Sequence, residues 1–580
     1  MRTVVWGIQA IAMLFMLAFL TSCQGFVGSQ AQVTVTPAGS GLGTVTSSPA
    51  GINCGTTCTA TIASIATITL TATPATGYVF SGWSGACSGT GTCTITSTTA
   101  NASNFAVTAR FSATLQSINH IIFLAQENRS FDSYFGALRE YWAQHGYSDE
   151  DFDGLPQFNS PAGSAPSIPG CNPADPYNPT ANPPQLSDCV FDPASPVTSF
   201  HYQTMCVENP SPSWNESHVD WDFNDATGQS AAALNGFVWT AGHDARNIVP
   251  PFNDTNGLRA MGYYNGDDLD YYYFMASNFA TSDRWFAPAM TRTPPNREYL
   301  IAGTSHGYAY QRNTNANDAA LIPSPVIFQK LQDAGITWKI YAHADANNCS
   351  TAKCLFDQSY VKDFTYGTTI LNQFPQNLES TDQFMAEAKS GNLPQVAQIE
   401  PASVVGLDEH PSDFDVNPPC CRVQDGAGFV ANLINSVMGG PNWKDTIFIL
   451  TFDEPGGFYD HVSPQPSVSP DGIKPVDLMP GDVCTQTTGP TCDFTYTGYR
   501  VPLIVISPFS KKHYVSHTVT DATAILKLIE TRFGVAPLTK RDAAQIDMTE
   551  FLDFVNEPWK MPPQPPAQIT TGPCYLDRLP

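Results

Sequence analysis

Two unbroken apolar runs stand out along the chain. Ile121-Ile122-Phe123-Leu124-Ala125 halts at Gln126-Glu127-Asn128-Arg129-Ser130-Phe131-Asp132, and Thr446-Ile447-Phe448-Ile449-Leu450-Thr451-Phe452 runs straight into Asp453-Glu454-Pro455-Gly456-Gly457. Each run is short, β-branched and bounded, so each reads as a buried strand rather than a helix. Apolar spacing predicts helices over Tyr271–Ala280, Val326–Ala334 and Thr523–Phe533, the last stopped by Gly534. Trp338–Tyr341 and Val501–Ile506 read as further strands. Strands alternating with helices predict an α/β fold, a parallel sheet sandwiched by helices.

Residues 31–113 follow a different rule. Val33-Thr34-Val35-Thr36, Thr67-Ile68-Thr69-Leu70-Thr71-Ala72 and Val107-Thr108-Ala109-Arg110-Phe111 alternate with period two between Gly and Pro turns. That pattern predicts a small antiparallel all-β domain. Gly77-Tyr78-Val79-Phe80-Ser81-Gly82-Trp83, followed by Cys87 and Cys93, resembles the β-repeat modules of bacterial surface proteins. The resemblance implies a spacer or a binding module; nothing in the island carries chemistry. The expected organisation is a signal segment over 1–23, the β-domain over 31–113, a catalytic domain over 117–560 and a tail over 561–580.

Composition narrows the function. Lys and Arg number 27 against 52 Asp and Glu, a net charge of −25, and no basic stripe exists to hold nucleic acid. An anionic substrate therefore needs a local positive centre, which a bound metal would provide. Arg2 precedes an apolar run from Val4 to Leu20 that ends in Leu20-Thr21-Ser22-Cys23, the grammar of a secretory signal. The ending resembles a bacterial lipobox, in which Cys23 would be acylated and tie the protein to a membrane surface; ordinary cleavage with Cys23 incidental is the other reading. Either places the protein outside the cytoplasm. Cysteine usage agrees: Cys54 and Cys58, Cys87 and Cys93, Cys349 and Cys354, and Cys484 and Cys492 lie close enough to form local disulfides. The partners of Cys171, Cys189, Cys206, Cys420, Cys421 and Cys574 do not follow from spacing.

Ligands in open α/β sheets bind beyond the carboxyl ends of strands. Glu127 and Asn128 after one strand, and Asp453 and Glu454 after the other, are four oxygen donors that could share one hard divalent cation, calcium or magnesium. Read without the second strand, the first is a turn with Asn128 or Ser130 as a helix cap.

Gln126–Asp132, Met261-Gly262-Tyr263-Tyr264, Thr291-Arg292-Thr293-Pro294-Pro295-Asn296-Arg297, Glu409-His410-Pro411 and Asp453–His461 occur in the order seen in the phosphoesterase family. That family contains non-specific phospholipases C and a related acid phosphatase, and the resemblance implies an alkaline-phosphatase-like fold. By resemblance, Glu127, Asn128, Asp453 and Glu454 are the metal ligands and Thr293 the nucleophile, with Thr291 its rival. His410 and His461 match site histidines, and His218, in Ser213-Trp214-Asn215-Glu216-Ser217-His218, resembles a further one. Pro212, Pro455 and Ala522 depart from residues common in relatives, which bears on headgroup preference and on the leaving-group acid. The implied activity is phospholipase C cleavage of a glycerophospholipid through a phospho-threonine. The alternatives are a phosphatase on small monoesters and a degenerate surface-binding protein.

Overall fold

The computed structural model describes residues 30–579 except 64–65, 99–103, 174–187, 249, 313–319, 344–348, 350, 404–405 and 413–420. The expected signal segment with Cys23, and Cys420, lie outside the described residues. The chain divides into two compact units, Met1–Ser117 and Ile118–Pro580.

The first unit holds two four-stranded sheets. Inward Val33, Val35, Ile68 and Leu70 form its core while the threonines between them stay in contact with solvent, which is what period two requires. Cys54–Cys58 and Cys87–Cys93 are bonded. One pairing departs from the antiparallel expectation: Ala31–Ala38 runs parallel to Phe105–Ala113. These are the first and last strands of the unit, and everything between them supplies the long connection a parallel pair needs.

The second unit is built on an eight-stranded sheet. In chain order its strands are β1 (His120–Gln126), β2 (Ala280–Ser282), β3 (Trp338–Ala342), β4 (Leu378–Ser380), β5 (Val396–Ile399), β6 (Thr446–Phe452), β7 (Leu503–Ile506) and β8 (Tyr514–Ser516). In space they run β4-β3-β5-β1-β6-β7-β2-β8. β1 and β6 are parallel neighbours, and every residue of both is buried, which explains their unbroken apolar sequence. The sheet is mainly parallel, not wholly so: β7 is antiparallel to both β6 and β2. No crossover helix separates β6 from β7, so the chain returns in the opposite sense.

Helices cover the sheet in two groups. Among those that matter here are α1 (Phe131–Phe135), α2 (Asp270–Asn278), α3 (Thr293–Ala302), α4 (Ile327–Asp333), α5 (Thr381–Ser390), α6 (Val423–Met438) and α7 (Ala524–Phe533). α5 packs on α6 and α6 on α2, while α3 packs against α4 and α7. The helix expected over Tyr271–Ala280 ends at Asn278, because Ala280 already belongs to β2. α7 ends at Gly534, left-handed at φ 68°, as expected. Within the proline-rich 156–212 segment, Ser167–Pro173 pairs with Cys189–Thr198 and is closed by Cys171–Cys189. Cys206 instead reaches Cys574, and Cys349–Cys354 and Cys484–Cys492 are bonded. Six disulfides among the described residues belong to an oxidising compartment.

Candidate active site

Parallel register brings the two acidic strand ends together. Gln126 lies opposite Phe452, so Glu127-Asn128 and Asp453-Glu454 leave the sheet side by side. Asp453 N–H donates to the Gln126 carbonyl at 3.1 Å, and Arg129 N–H to the Glu454 carbonyl at 3.0 Å. Asp453 Oδ1 accepts from the N–H groups of Asn128 (3.2 Å) and Glu454 (2.8 Å). Asn128 takes a left-handed φ of 56° there. Gly456 (φ 69°) lies so close that a Cβ would meet the Asn128 carbonyl oxygen at 2.6 Å. Only glycine fits that crossing.

Thr293 is the first residue of α3, followed by Pro294 and Pro295, where a missing N–H costs nothing. Asn296 ties down the preceding loop, accepting from Ala289 N–H (2.9 Å) and donating to the Thr291 carbonyl (2.8 Å). The result aims Thr293 Oγ1 at the strand ends: 3.1 Å from Glu127 Oε2, 3.4 Å from Asn128 Oδ1 and 3.0 Å from Glu454 Oε1. Thr291 is committed elsewhere, its hydroxyl donating to the Ala309 carbonyl.

The site is crowded with negative charge. Burial, then Asp453 and Glu127, push the Glu454 carboxyl well above its ordinary range. Burial and the neighbouring Glu127 push Asp453 up to about 7. Burial also raises Glu127, against the opposing pull of Arg297, and raises Asp408, against that of His410. Arg297 is the buried counter-charge: Nη2 lies 2.9 Å from Glu127 Oε1 and Nε 3.2 Å from Asp453 Oδ2. Its other bonds, to the carbonyls of Ala125 (2.7 Å) and Gln126 (3.2 Å), fix it to the end of β1. Sequence reading passed over Arg297 as a site residue; its signal was a position four residues after Thr293, hence on the same helix face.

One guanidinium does not balance these groups. A hydroxyl has one proton to give, yet Thr293 faces three acceptors, and Glu454 Oε2 is buried with no hydrogen-bond partner. Such an oxygen set fits a hard divalent cation.

The histidines divide. His410 donates from Nδ1 to the Pro411 carbonyl at 2.5 Å, and its backbone N–H donates to Asp408 Oδ1 at 3.1 Å, beside the acidic cluster. His461 lies in a separate ion-pair group, Nδ1 2.7 Å from Asp132 Oδ2 and Nε2 3.1 Å from Asp153 Oδ1. His218 is fully buried, with Nδ1 2.7 Å from the Trp214 carbonyl and Nε2 3.2 Å from that of Thr491. Burial lowers it to about 4, so it is neutral. Neither His461 nor His218 bonds to Thr293 or to the acids around it. Asp132, Asp460 and His461 bring donor atoms within 4.8 Å of one another and could hold a metal. In the structure Arg500 lies between the acids, 2.9 Å from Asp132 Oδ1 and 2.9 Å from Asp460 Oδ1.

The model of the Phosphoesterase family matches residues 118–536. The chain belongs to the Phosphoesterase family. It is a phospholipase C-like hydrolase, and residues 31–115 match a divergent InlB B-repeat domain. Similar family members include Phospholipase C B of Mycobacterium tuberculosis, 29% identical over 475 residues that cover 77% of this chain and 79% of that one. Hemolytic phospholipase C of Pseudomonas aeruginosa is 25% identical, covering 76% and 56%. Non-specific phospholipase C3 of Arabidopsis thaliana is 27% identical, covering 69% and 65%. A solved alkaline phosphatase superfamily protein from Vibrio parahaemolyticus overlaps 47% of this chain and 63% of its own, at 13% identity and a TM-score of 0.27. That likeness is too slight to add to what the sheet order establishes.

Proposed function

We propose that this phosphoesterase cleaves glycerophospholipids in the manner of a phospholipase C, with Thr293 as nucleophile. The observation that carries the reading is the Thr293 hydroxyl at 3.0–3.4 Å from Glu454, Glu127 and Asn128. Thr293 Oγ1 attacks phosphorus; a P–Oγ bond forms as the bond from phosphorus to the glycerol oxygen breaks. Diacylglycerol leaves, and water then releases the phosphorylated headgroup from the phospho-threonine. Glu127 Oε2 and Glu454 Oε1 are the acceptors within reach of the hydroxyl proton.

A divalent cation, calcium or magnesium by its oxygen donors, would be held by Glu127, Asn128, Asp453 and Glu454. When bound it supplies positive charge for the phosphoryl oxygens and lowers the pKa of the attacking hydroxyl. The N-terminus of α3 adds its own partial positive charge beside Thr293. A carbonyl only accepts, so His410 keeps its Nδ1 proton on Pro411 and exchanges protons through Nε2. That nitrogen protonates the departing glycerol oxygen. Arg297 holds Glu127 and Asp453 in place from behind.

The test is Thr293→Ala and Thr293→Ser, assayed on phosphatidylcholine and on a chromogenic monoester with and without chelator. The alanine variant is expected to lose at least about a thousandfold in kcat with its folding intact, and serine to retain part of the activity. Acid quenching of the parent enzyme should trap phosphate on Thr293. An alanine variant that turns over phosphatidylcholine at the parent rate overturns the nucleophile. Monoester turnover without lipid cleavage overturns the substrate class.

A further inference from the structure

Between β6 and β7 the chain makes a long excursion, and residues 468–479 within it have an unusual surface. Val468, Val476 and Met479 are 42%, 59% and 66% exposed. Among the described residues no other stretch of that length exposes as many large apolar side chains. The acids of the same loop are hydrogen-bonded within the protein. Asp471 accepts from Thr304 Oγ1 (2.6 Å) and Ile473 N–H (2.8 Å). Asp477 accepts from Ala309 N–H and Tyr310 N–H, each at 2.9 Å. Lys474 is exposed, as is Asp471, so the apolar side chains of this loop stand beside one cation and one acid, on a chain of net charge −25.

The loop is also tied, through 307–310, to the segment that precedes the nucleophile. Val476 N–H donates to the Gly307 carbonyl at 2.9 Å, and Asp477 fastens 309–310, the segment whose Ala309 carbonyl receives the Thr291 hydroxyl. Thr293 is two residues further on. On the other side Leu478 packs into a cluster with Trp214, Tyr299 and Phe494. The tip therefore stands on a rigid base at the flank of the site.

We propose that residues 468–479 are the surface by which the enzyme rests on a phospholipid bilayer, Val476 and Met479 entering the headgroup region and Lys474 meeting phosphate. This rests on the phospholipid reading of the site. Apolar tips with a neighbouring lysine suit the boundary between headgroups and acyl chains, and Asp471 is held by Thr304 and Ile473. The overall negative charge selects a zwitterionic over an anionic surface.

The test uses the full chain carrying Cys23→Ser in every arm, so that no acyl anchor contributes, with and without the pair Val476→Asp and Met479→Asp. Partition onto phosphatidylcholine vesicles is measured by sedimentation, and turnover on vesicles and on monomeric short-chain phosphatidylcholine. The paired variant should partition at least tenfold less and lose vesicle turnover in proportion, with monomer turnover and thermal midpoint unchanged. Equal partition of the two proteins overturns the proposal and leaves the patch to a protein partner; so does a parent protein that does not partition. If neither protein cleaves the monomeric lipid, the substrate reading fails, while partition still decides the role of the loop.

Discussion

His461 bridges two carboxylates, Asp132 and Asp153, and both of its nitrogens must carry protons to do so. Burial pulls the imidazole toward neutrality, but Asp132 and Asp153 together outweigh it and hold the pKa at about 9. An unfolded histidine titrates near 6.5, so the folded protein keeps a proton that the unfolded chain releases. This contribution to stability is full below about pH 6.5 and is lost as pH rises through about 9, on the order of 3 kcal/mol across the window. Urea unfolding at pH 6 and pH 9.5 should show the loss, and His461→Gln should flatten it. An unchanged slope in the variant would detach the effect from this residue. The sequence flagged His461 through its motif but hid its role, because Asp132 and Asp153 lie more than three hundred residues upstream. Arg297 was obscured in the same way: the acids it pairs with arrive from two other strand ends.

At the scale of elements, β1 and β6 were legible because total burial leaves an uninterrupted apolar run, and the first polar residues after each run are the site. β2 was not: three residues set one position beyond α2 carry no period of their own, so its first residue was absorbed into the helix. The turn after β6 is where strand geometry becomes site geometry. Gly456 and Gly472 share a left-handed backbone, φ 69° and 79°, but a Cβ on Gly456 would strike the Asn128 backbone, whereas Gly472 faces open space. Gly472→Ala should cost only the backbone penalty, about 1 kcal/mol, and leave kcat/KM alone. Gly456→Ala should cost more, about 2–3 kcal/mol, and lower kcat/KM by at least tenfold by displacing Asn128. Equal behaviour of the two variants, read by thermal melts and steady-state kinetics, would show that the close crossing does not position the site.

The whole molecule depends on a connection that spacing could not reveal. Residues 561–580 read in sequence as a tail, and the described residues 561–579 form no helix or strand. Yet Cys574 is bonded to Cys206 across 368 positions, and Leu576 is buried. Met205 N–H donates to the Pro573 carbonyl at 2.7 Å, Tyr575 N–H to Thr204 Oγ1 at 3.0 Å, and Gly572 N–H to Gln424 Oε1 at 2.8 Å on α6. The segment behaves as a clasp joining 204–207 to α6, and its cross-link restricts the unfolded chain over a very long loop. A protein ending at residue 560 should therefore lose about 2–5 kcal/mol of stability in the second unit. The first unit has its own core and two disulfides of its own, so its transition should stay in place. Calorimetry of the two proteins separates these outcomes, and Cys574→Ser separates the bond from the hydrogen bonds around it. If the truncated protein melts with the parent in both transitions, the clasp is not what holds the catalytic unit closed.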